Sequence, residues 1–202
     1  MEGKEELILK IALELFLEKG YENTNIKDIV DIVGGSYTTI YKKFKNKNQL
    51  FLKAIKIGGD GRVARLVDMV ESRKNLNLVE FLDSFARDFY TDFYSDYNVK
   101  FLRLVVSRSY HDKTLQEIIA KSDKLILSKH LAKVFESKLD KAIFKEIDSI
   151  NLAVIYTSMI LTNETFSVLA NTKFDSLTEK QISKHINNIN SLFLRMINIK
   201  NI

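Results

Sequence analysis

The distribution of helix-breaking residues constrains the fold of this chain more than any other feature. The sequence has no proline, and all seven glycines lie at or before Gly61. From Arg62 to Ile202 neither residue type occurs, so tight turns between strands are poorly provided for. Hydrophobic residues make up 46% of the 202 residues, which is ample for a core. We therefore predict an all-α fold of about nine helices.

The N-terminal region is patterned as three short helices. The first, over about Lys4–Lys19, has an apolar face and stops at Gly20. Asn25 is a residue type that caps helices, and the second helix that it begins ends at Gly34-Gly35. Ser36 then caps a third, very short helix. Two helices joined by a short glycine turn are typical of a helix-turn-helix, in which the second helix enters the major groove of DNA.

The charge of the same region favours contact with nucleic acid. No acidic residue occurs from Ile32 to Gly59. A lysine face that is merely solvated would normally be interleaved with glutamate, so the uncompensated run indicates an anionic partner. The net charge of +5 also favours an anionic partner, but this is weaker evidence, because genomic bias equally explains the excess of lysine over arginine. The six lysines of this basic window are Lys42, Lys43, Lys45, Lys47, Lys53 and Lys56.

A glycine-rich stretch, Gly58–Gly61, interrupts the fourth helical pattern, at a cost of about 1 kcal/mol for each glycine relative to alanine. Two interpretations stay open: a break between separately packed helices, or a hinge between the N-terminal head and the rest. We predict a DNA-binding domain over 1–47 and a helical ligand-binding and dimerisation domain over 48–202. Four later helices are expected to begin at the capping residues Asn77, Asp112 or Thr114, Asp148 and Thr178, and to end near Tyr94, Leu139, Ala170 and Lys200. Another helix is expected over about Val99–Tyr110.

The motif around the glycine turn resembles the TetR family of bacterial transcriptional repressors. The resemblance covers roughly the first 50 residues, and the motif is most similar to that of family members that repress multidrug-efflux genes. It implies a homodimer that binds a palindromic double-stranded operator and is released by a small hydrophobic or amphipathic inducer. The residues that carry it are Val33-Gly34-Gly35-Ser36, Ile40-Tyr41, Phe44, Lys47 and Leu50, preceded by Ala12, Leu15-Phe16, Gly20-Tyr21, Thr24 and Asp28-Ile29.

Two positions depart from the family pattern. Many members have valine or a similar residue where Gly35 stands, and often glycine where Thr38 stands. The run from Gly34 to Ile40 combines glycine with β-branched residues, both of which disfavour helix. We predict that the recognition helix is frayed or irregular without DNA and is ordered by binding.

Geometry and resemblance together predict ten DNA-contacting residues. Hydroxyl-bearing residues of the short helix are expected at base edges, with lysines and the starts of the second and fourth helices at phosphates. Tyr41 has an alternative role as a packing aromatic, and Lys27 could equally be solvated. The set is Asn25, Lys27, Ser36, Tyr37, Thr38, Thr39, Tyr41, Lys42, Lys43 and Lys47.

The larger domain is predicted to bind the inducer and to dimerise. The helices over Ile150–Leu169 and Glu179–Ile202 carry strong apolar stripes and are the expected interface, with burial inside one subunit as the alternative. An aromatic-rich region over 81–110 and polar residues of the helix over Ile150–Leu169 are expected to line a pocket. The predicted ligand residues are Phe85, Phe89, Phe101, Ile126, Thr157, Ser158, Leu161, Thr162 and Thr165.

Other functional classes fit the sequence poorly. The histidines, His111, His130 and His185, are far apart and lack a partner at catalytic or metal-ligand spacing, so we expect no enzyme, metal or cofactor. No apolar run is long enough to span a membrane and no signal-peptide core is present, so a cytoplasmic protein is expected. The second hypothesis is a helical ligand- or protein-binding module that retains the head without operator recognition.

Overall fold

The computed structural model of the protein describes residues 3–122, 125–161, 164–170 and 178–197. Within these ranges every regular element is helical, as the glycine and proline distribution predicted. A short 3-10 helix covers Ile143–Lys145. The α-helices are α1 (Lys4–Asn23), α2 (Ile26–Val33), α3 (Tyr37–Phe44), α4 (Lys47–Glu71), α5 (Leu78–Phe93), α6 (Asp96–Ser109), α7 (Lys113–Lys121), α8 (Ile126–Lys138), α9 (Ser149–Ile160), α10 (Glu164–Leu169) and α11 (Glu179–Ile197).

The chain packs as two compact units. The first unit comprises residues 1–62 and 96–122, and the second comprises residues 63–95 and 123–202. The boundary falls inside α4, so this helix contributes its first part to one unit and its last part to the other. The division at residues 47 and 48 concerns function rather than packing and stays a prediction.

The first unit is built around α1. Its apolar face packs against α2 and α6, and the buried Phe16 contacts the rings of Tyr21 and Phe51. Gly20, at φ 77°, bends α1 near its end, where the sequence predicted a stop. The buried Thr24 hydroxyl lies 2.8 Å from the carbonyl oxygen of Gly20 and 3.1 Å from that of Leu15. These contacts fix the entry into α2.

The helix α4 continues through Gly58–Gly61, so of the two open interpretations the break between separately packed helices is wrong. The reason lies in packing: a Cβ on Gly58 would lie 2.7 Å from Leu13 Cδ2 and 2.8 Å from Phe101 Cε2. Glycine at this position lets α1 and α6 approach α4 closely, and the packing offsets the low helix propensity. The hinge interpretation is not tested by continuity of the helix.

The second unit encloses an aromatic core. Phe81, Phe85 and Phe89 stack along α5, with neighbouring ring centroids 5.6–5.8 Å apart. The hydroxyl oxygen of the buried Tyr156 of α9 lies 2.9 Å from the Leu82 carbonyl oxygen and 2.8 Å from Asn190 Oδ1, two acceptors for its single proton. The packing of α5, α9 and α11 is therefore anchored by a satisfied polar group inside an apolar core.

Two predicted helices are each divided in the structure. The helix expected over Asp112–Leu139 is α7 and α8, and that expected over Asp148–Ala170 is α9 and α10. Ser122 and Leu161, at the ends of α7 and α9, are extended. No glycine or proline marks either interruption, so the sequence had no stop signal there. Predicted caps are confirmed at Asn77, Asp112 and Asp148, whose side chains accept backbone N–H groups.

None of the described helices is both long and apolar enough to cross a membrane.

Candidate functional site

The helix-turn-helix is formed by α2, the turn at Gly34-Gly35, and α3. Both glycines have positive φ, 73° and 115°, a conformation that side chains with a Cβ rarely adopt. The Gly34 N–H closes α2 by bonding the Val30 carbonyl oxygen at 2.9 Å. Ile29 of α2, with Ile40 and Phe44 of α3, is buried in the core of the first unit. The opposite face of α3 is consequently presented outward.

The exposed face of α3 carries two tyrosines and a threonine. Tyr37 is 44% exposed and Tyr41 is 49% exposed, and Thr38 is also exposed. The half-exposed ring of Tyr41 agrees with a partly buried packing role as well as with a DNA contact, so both interpretations of Tyr41 stay open. Tyr37, Thr38 and Tyr41 are available for contact with a partner.

The hydroxyls of Ser36 and Thr39 are occupied by the local structure. Ser36 accepts the Thr39 backbone N–H at 3.3 Å as the N-cap of α3, as predicted. The two hydroxyl oxygens are also 3.1 Å apart, within hydrogen-bonding distance. Of the four residues predicted at base edges, Tyr37 and Thr38 therefore have the least committed polar groups.

Asn25 occupies the N-cap position of α2 but its side chain makes no capping bond, contrary to the sequence-based expectation. Its backbone carbonyl oxygen accepts the Asp28 N–H at 3.1 Å instead. Asp28 also pairs with Lys19 at 2.8 Å, which fixes the first turn of α2 to α1. The Asn25 side chain and Lys27 are both exposed.

The basic window is partly neutralised by a distant carboxylate. Glu5 of α1 pairs with Lys43 at 3.2 Å and with Lys53 at 3.3 Å. The hydrogen bond from Lys43, reinforced by Lys53, holds the pKa of Glu5 below its ordinary value. The sequence window could not reveal this compensation, because Glu5 lies 38 residues before Lys43. In the part of the chain that the structure describes, Lys42 and Lys45 pair with no carboxylate.

Lys47 is held in place at the end of α1. Its ammonium lies 3.1 Å from the Glu22 carbonyl oxygen and 4.5 Å from the ring centroid of Tyr21. The Arg108 guanidinium also lies over that ring, 4.0 Å from its centroid. Burial, with repulsion from Arg108, lowers the pKa of Lys47, against the attraction of Glu22. Arg108 is a basic residue of this surface that reasoning from the N-terminal motif missed.

Family comparison agrees with this geometry. Residues 8–54, from α1 into α4, match the model of the bacterial regulatory proteins of the tetR family. Residues 8–54 thus carry a TetR-family domain. Proteins of this family are transcriptional regulators rather than enzymes, and they bind DNA and dimerise.

Individual relatives extend the likeness to the whole fold. An uncharacterized HTH-type transcriptional regulator, YezE, of Bacillus subtilis (strain 168) is 33% identical over 66 residues, which span 33% of this chain and 34% of YezE. A TetR-family regulator structure from Mesorhizobium loti is 17% identical, covers 96% of both chains and has a TM-score of 0.82. The flavonoid-responsive regulator FrrA is 23% identical, covers 96% of both chains and has a TM-score of 0.59. The all-helical architecture is thus that of TetR-family regulators.

The predicted ligand residues fall in different surroundings. Phe85 and Phe89 are buried in the stacked core of the second unit. Phe101 belongs instead to the core of the first unit, beside Gly58, because α6 packs in that unit. Ile126, the first residue of α8, and Leu161, which follows α9, are half-buried.

The polar members of the predicted set are engaged locally. Thr157 and Ser158 bond carbonyl oxygens one turn earlier in α9, at 3.0–3.1 Å and 2.8 Å. Thr165 of α10 and the Tyr94 hydroxyl are 2.9 Å apart. Thr162 lies outside the described residues.

Two of the three histidines have structural partners for their side chains. His130 Nδ1 lies 2.6 Å from Glu71 Oε1, and His185 Nε2 lies 3.0 Å from the Ile160 carbonyl oxygen at the end of α9. His111 is exposed. Among the described residues, no group of three His, Cys, Asp or Glu side chains is placed to hold a metal ion.

Proposed function

We propose that this chain is a dimeric, ligand-responsive transcriptional repressor that binds a palindromic operator. The observation that carries the proposal is the glycine-turned helix-turn-helix, whose second helix buries Ile40 and Phe44 and presents Tyr37 and Thr38 outward. A helix presented in this way is suited to the major groove. The match of residues 8–54 to the tetR family supports the same role.

Base contacts and phosphate contacts are assigned to different residues. Tyr37, Thr38 and Thr39 are proposed at base edges, where threonine methyls suit thymine methyls. Ser36 contributes mainly by capping α3. Phosphate contacts are proposed for Asn25, Lys27, Tyr41, Lys42, Lys43 and Lys47.

Release is proposed to follow a population shift. An inducer that binds one conformer of the second unit more tightly shifts the dimer toward a state whose two α3 helices no longer fit successive major grooves. FrrA is named as flavonoid-responsive, and its similar fold supports ligand control here. Efflux genes are candidate targets because the sequence motif of the head resembles that of repressors of efflux genes.

Two sites are candidates for the inducer. The predicted set around Phe85, Phe89, Thr157 and Thr165 is packed, so a ligand there would have to displace core side chains. If alanine at Phe85 and Phe89 leaves inducer affinity unchanged, that location is excluded. The open cavity described below needs no displacement.

The test is selection of bound fragments from random-sequence DNA at two salt concentrations. An operator-specific dimer enriches a palindrome whose half-sites lie one helical turn or more apart. Recovery of no motif would favour the alternative, a helical ligand- or protein-binding module without operator recognition. The departures of Gly35 and Thr38 from the family pattern are the sequence features that leave this alternative open. That module would bind a small molecule or a protein without enriching any DNA motif, so the outcomes are separable.

Two variants then distinguish the contact classes. Lys47→Ala is expected to weaken binding to all sequences and to reduce the salt slope by about one unit. Thr38→Ala is expected to change sequence preference with little change in the slope. If both variants alter affinity without this distinction, the docking arrangement is wrong.

A further inference from the structure

An apolar cavity of about 320 Å³ lies within the second unit, and none of the predicted ligand residues lines it. This volume is at the lower end of the range for small-molecule sites, about 300–1,000 Å³. The wall is formed by the segment around the 3-10 helix, the start of α9 and the end of α11. The lining residues are Ala142, Ile143, Glu146, Ile147, Leu152, Met196 and Ile197.

The lining favours an apolar ligand. Leu152 and Ile197 are buried, whereas Ile143, Ile147 and Met196 are half-buried and keep part of their surface toward the cavity. Each square ångström of apolar surface covered by a ligand contributes about 25 cal/mol to binding. Methionine is unbranched and adapts its shape to different ligands.

A single carboxylate sits at the edge of this apolar surface. Glu146 is the only charged residue among the described lining residues, and it is exposed. Within the described chain it forms no ion pair, unlike Glu5 and Glu71. Because Glu146 is exposed, water screens its carboxylate, and its attraction for a cation at contact distance is modest, about fivefold in affinity.

Local hydrogen bonds hold the wall in shape. The Asp140 carboxylate accepts the Ala142 N–H at 2.8 Å, and the Ile147 N–H bonds the Ile143 carbonyl oxygen at 3.2 Å. Asp148 then caps α9 through two backbone N–H groups at 3.0 Å. The segment between α8 and α9 is therefore fixed on both sides of Glu146, which lowers the ordering cost of binding.

We propose that this cavity binds a small apolar molecule that carries one positive charge, with its apolar part on Ile143, Ile147 and Met196 and its cation at Glu146. Binding of this ligand does not depend on whether the chain is a transcriptional regulator. The role of the ligand as an effector does rest on the proposed function, because α9 and α11 would transmit occupancy to the dimer.

The experiment uses full-length protein labelled with ¹³C at the methionine methyl groups. Met196 lines the cavity, whereas Met69 and Met159 pack elsewhere in the same unit and serve as internal references. Three probes with matched chains are titrated below their micelle concentrations: decyltrimethylammonium, decanol and decanoate. The expected order of affinity is cation, then alcohol, then anion, with the Met196 signal shifting and the references unchanged.

Two variants and one control test the chemistry. Glu146→Gln should weaken the cation about fivefold or more and leave decanol unchanged. Ala142→Leu should fill part of the cavity and weaken all three probes. The control Glu117→Gln removes an exposed carboxylate of α7, in the other unit, and should change nothing.

Other outcomes would overturn the proposal. Shifts at Met69 or Met159 without Met196 would place the ligand elsewhere in the second unit and leave a ligand-responsive regulator intact. A Met196 shift that follows protein concentration rather than probe would mean that a second copy covers the cavity. Equal binding of cation and anion would exclude the role of Glu146.

Discussion

At the scale of single residues, the electrostatics of the head depend on a carboxylate far away in sequence. Glu5 on α1 lies between Lys43 of α3 and Lys53 of α4. Its pKa is depressed in the folded state, so the stabilisation that it contributes is present above the ordinary value of 4.5 and is lost as the pH falls through the lower folded value. At neutral pH Glu5 is ionised, so DNA phosphates must compete with it for Lys43 and Lys53.

Removing this competitor should strengthen DNA binding. Glu5→Gln is expected to raise the affinity for random duplex DNA about three- to tenfold at low salt and to steepen the salt slope by up to about two units, because two lysines are released. Fluorescence anisotropy at several salt concentrations measures both. Glu6→Gln is the control, since Glu6 pairs with Lys10 of its own helix at 3.3 Å. Equal effects of the two variants would point to net charge alone.

At the scale of elements, two glycines of α4, Gly58 and Gly61, lie in different environments. Gly58 is buried against Leu13 and Phe101, whereas Gly61 is exposed, and a Cβ added to it would meet no atom within 4 Å. Alanine improves helix propensity equally at both sites, by about 1 kcal/mol. A comparison of the two substitutions therefore cancels propensity and isolates packing.

Gly58→Ala is expected to be less stable than Gly61→Ala by about 1–3 kcal/mol, the usual cost of overpacking a core. Gly61→Ala should be more stable than the parent chain by up to about 1 kcal/mol. Denaturant unfolding followed by circular dichroism provides the free energies. Similar stabilisation by both substitutions would show that the close approach of α1 and α6 to Gly58 is not maintained in solution.

The sequence was informative about helices and poorly informative about distances across the fold. Glycine and proline placement predicted the all-α class, and cap residues such as Asn77 and Asp148 marked true helix starts. The interruptions at Ser122 and Leu161 have no such marker. Nor could a local pattern place Phe101 in the first unit or bring Glu5 to Lys43, because both follow from the packing of distant helices.

The recognition helix is regular in the structure, yet it is built from weak helix material. Eight residues, Tyr37–Phe44, form α3 between Gly35 and the positive-φ Lys45. We predict faster amide exchange across Tyr37–Tyr41 than across Ile26–Val33 in free protein, with protection of α3 rising on DNA binding. Hydrogen-exchange mass spectrometry tests this. Equal protection of the two helices without DNA would refute coupled ordering.

At the scale of the whole molecule, the proposed dimer must use what the core of the second unit leaves outside. Most of the apolar residues of α9 and α11 are buried within the second unit, where Tyr156, Ile160 and Phe193 are fully buried. The large apolar side chains that remain exposed on these helices are Ile155, at 38%, and Leu192, at 60%, and α10 of the same predicted interface exposes Phe166 at 79%. The alternative of burial within one subunit thus accounts for much of the stripe, and Leu192 becomes the sharpest probe of an interface.

In a two-fold dimer each substitution occurs twice, so a buried aspartate at this position should be costly. Leu192→Asp is expected to raise the dimer dissociation constant at least about 30-fold, equivalent to about 2 kcal/mol, without loss of helix content. Val79→Asp is the matched control, because Val79 of α5 is also 60% exposed but lies outside the proposed interface. Sedimentation velocity over a concentration series distinguishes the variants. Dissociation by both would indicate general destabilisation, and dissociation by neither would move the interface away from α11, so that the paired heads needed for a palindromic operator would have to be arranged through another surface.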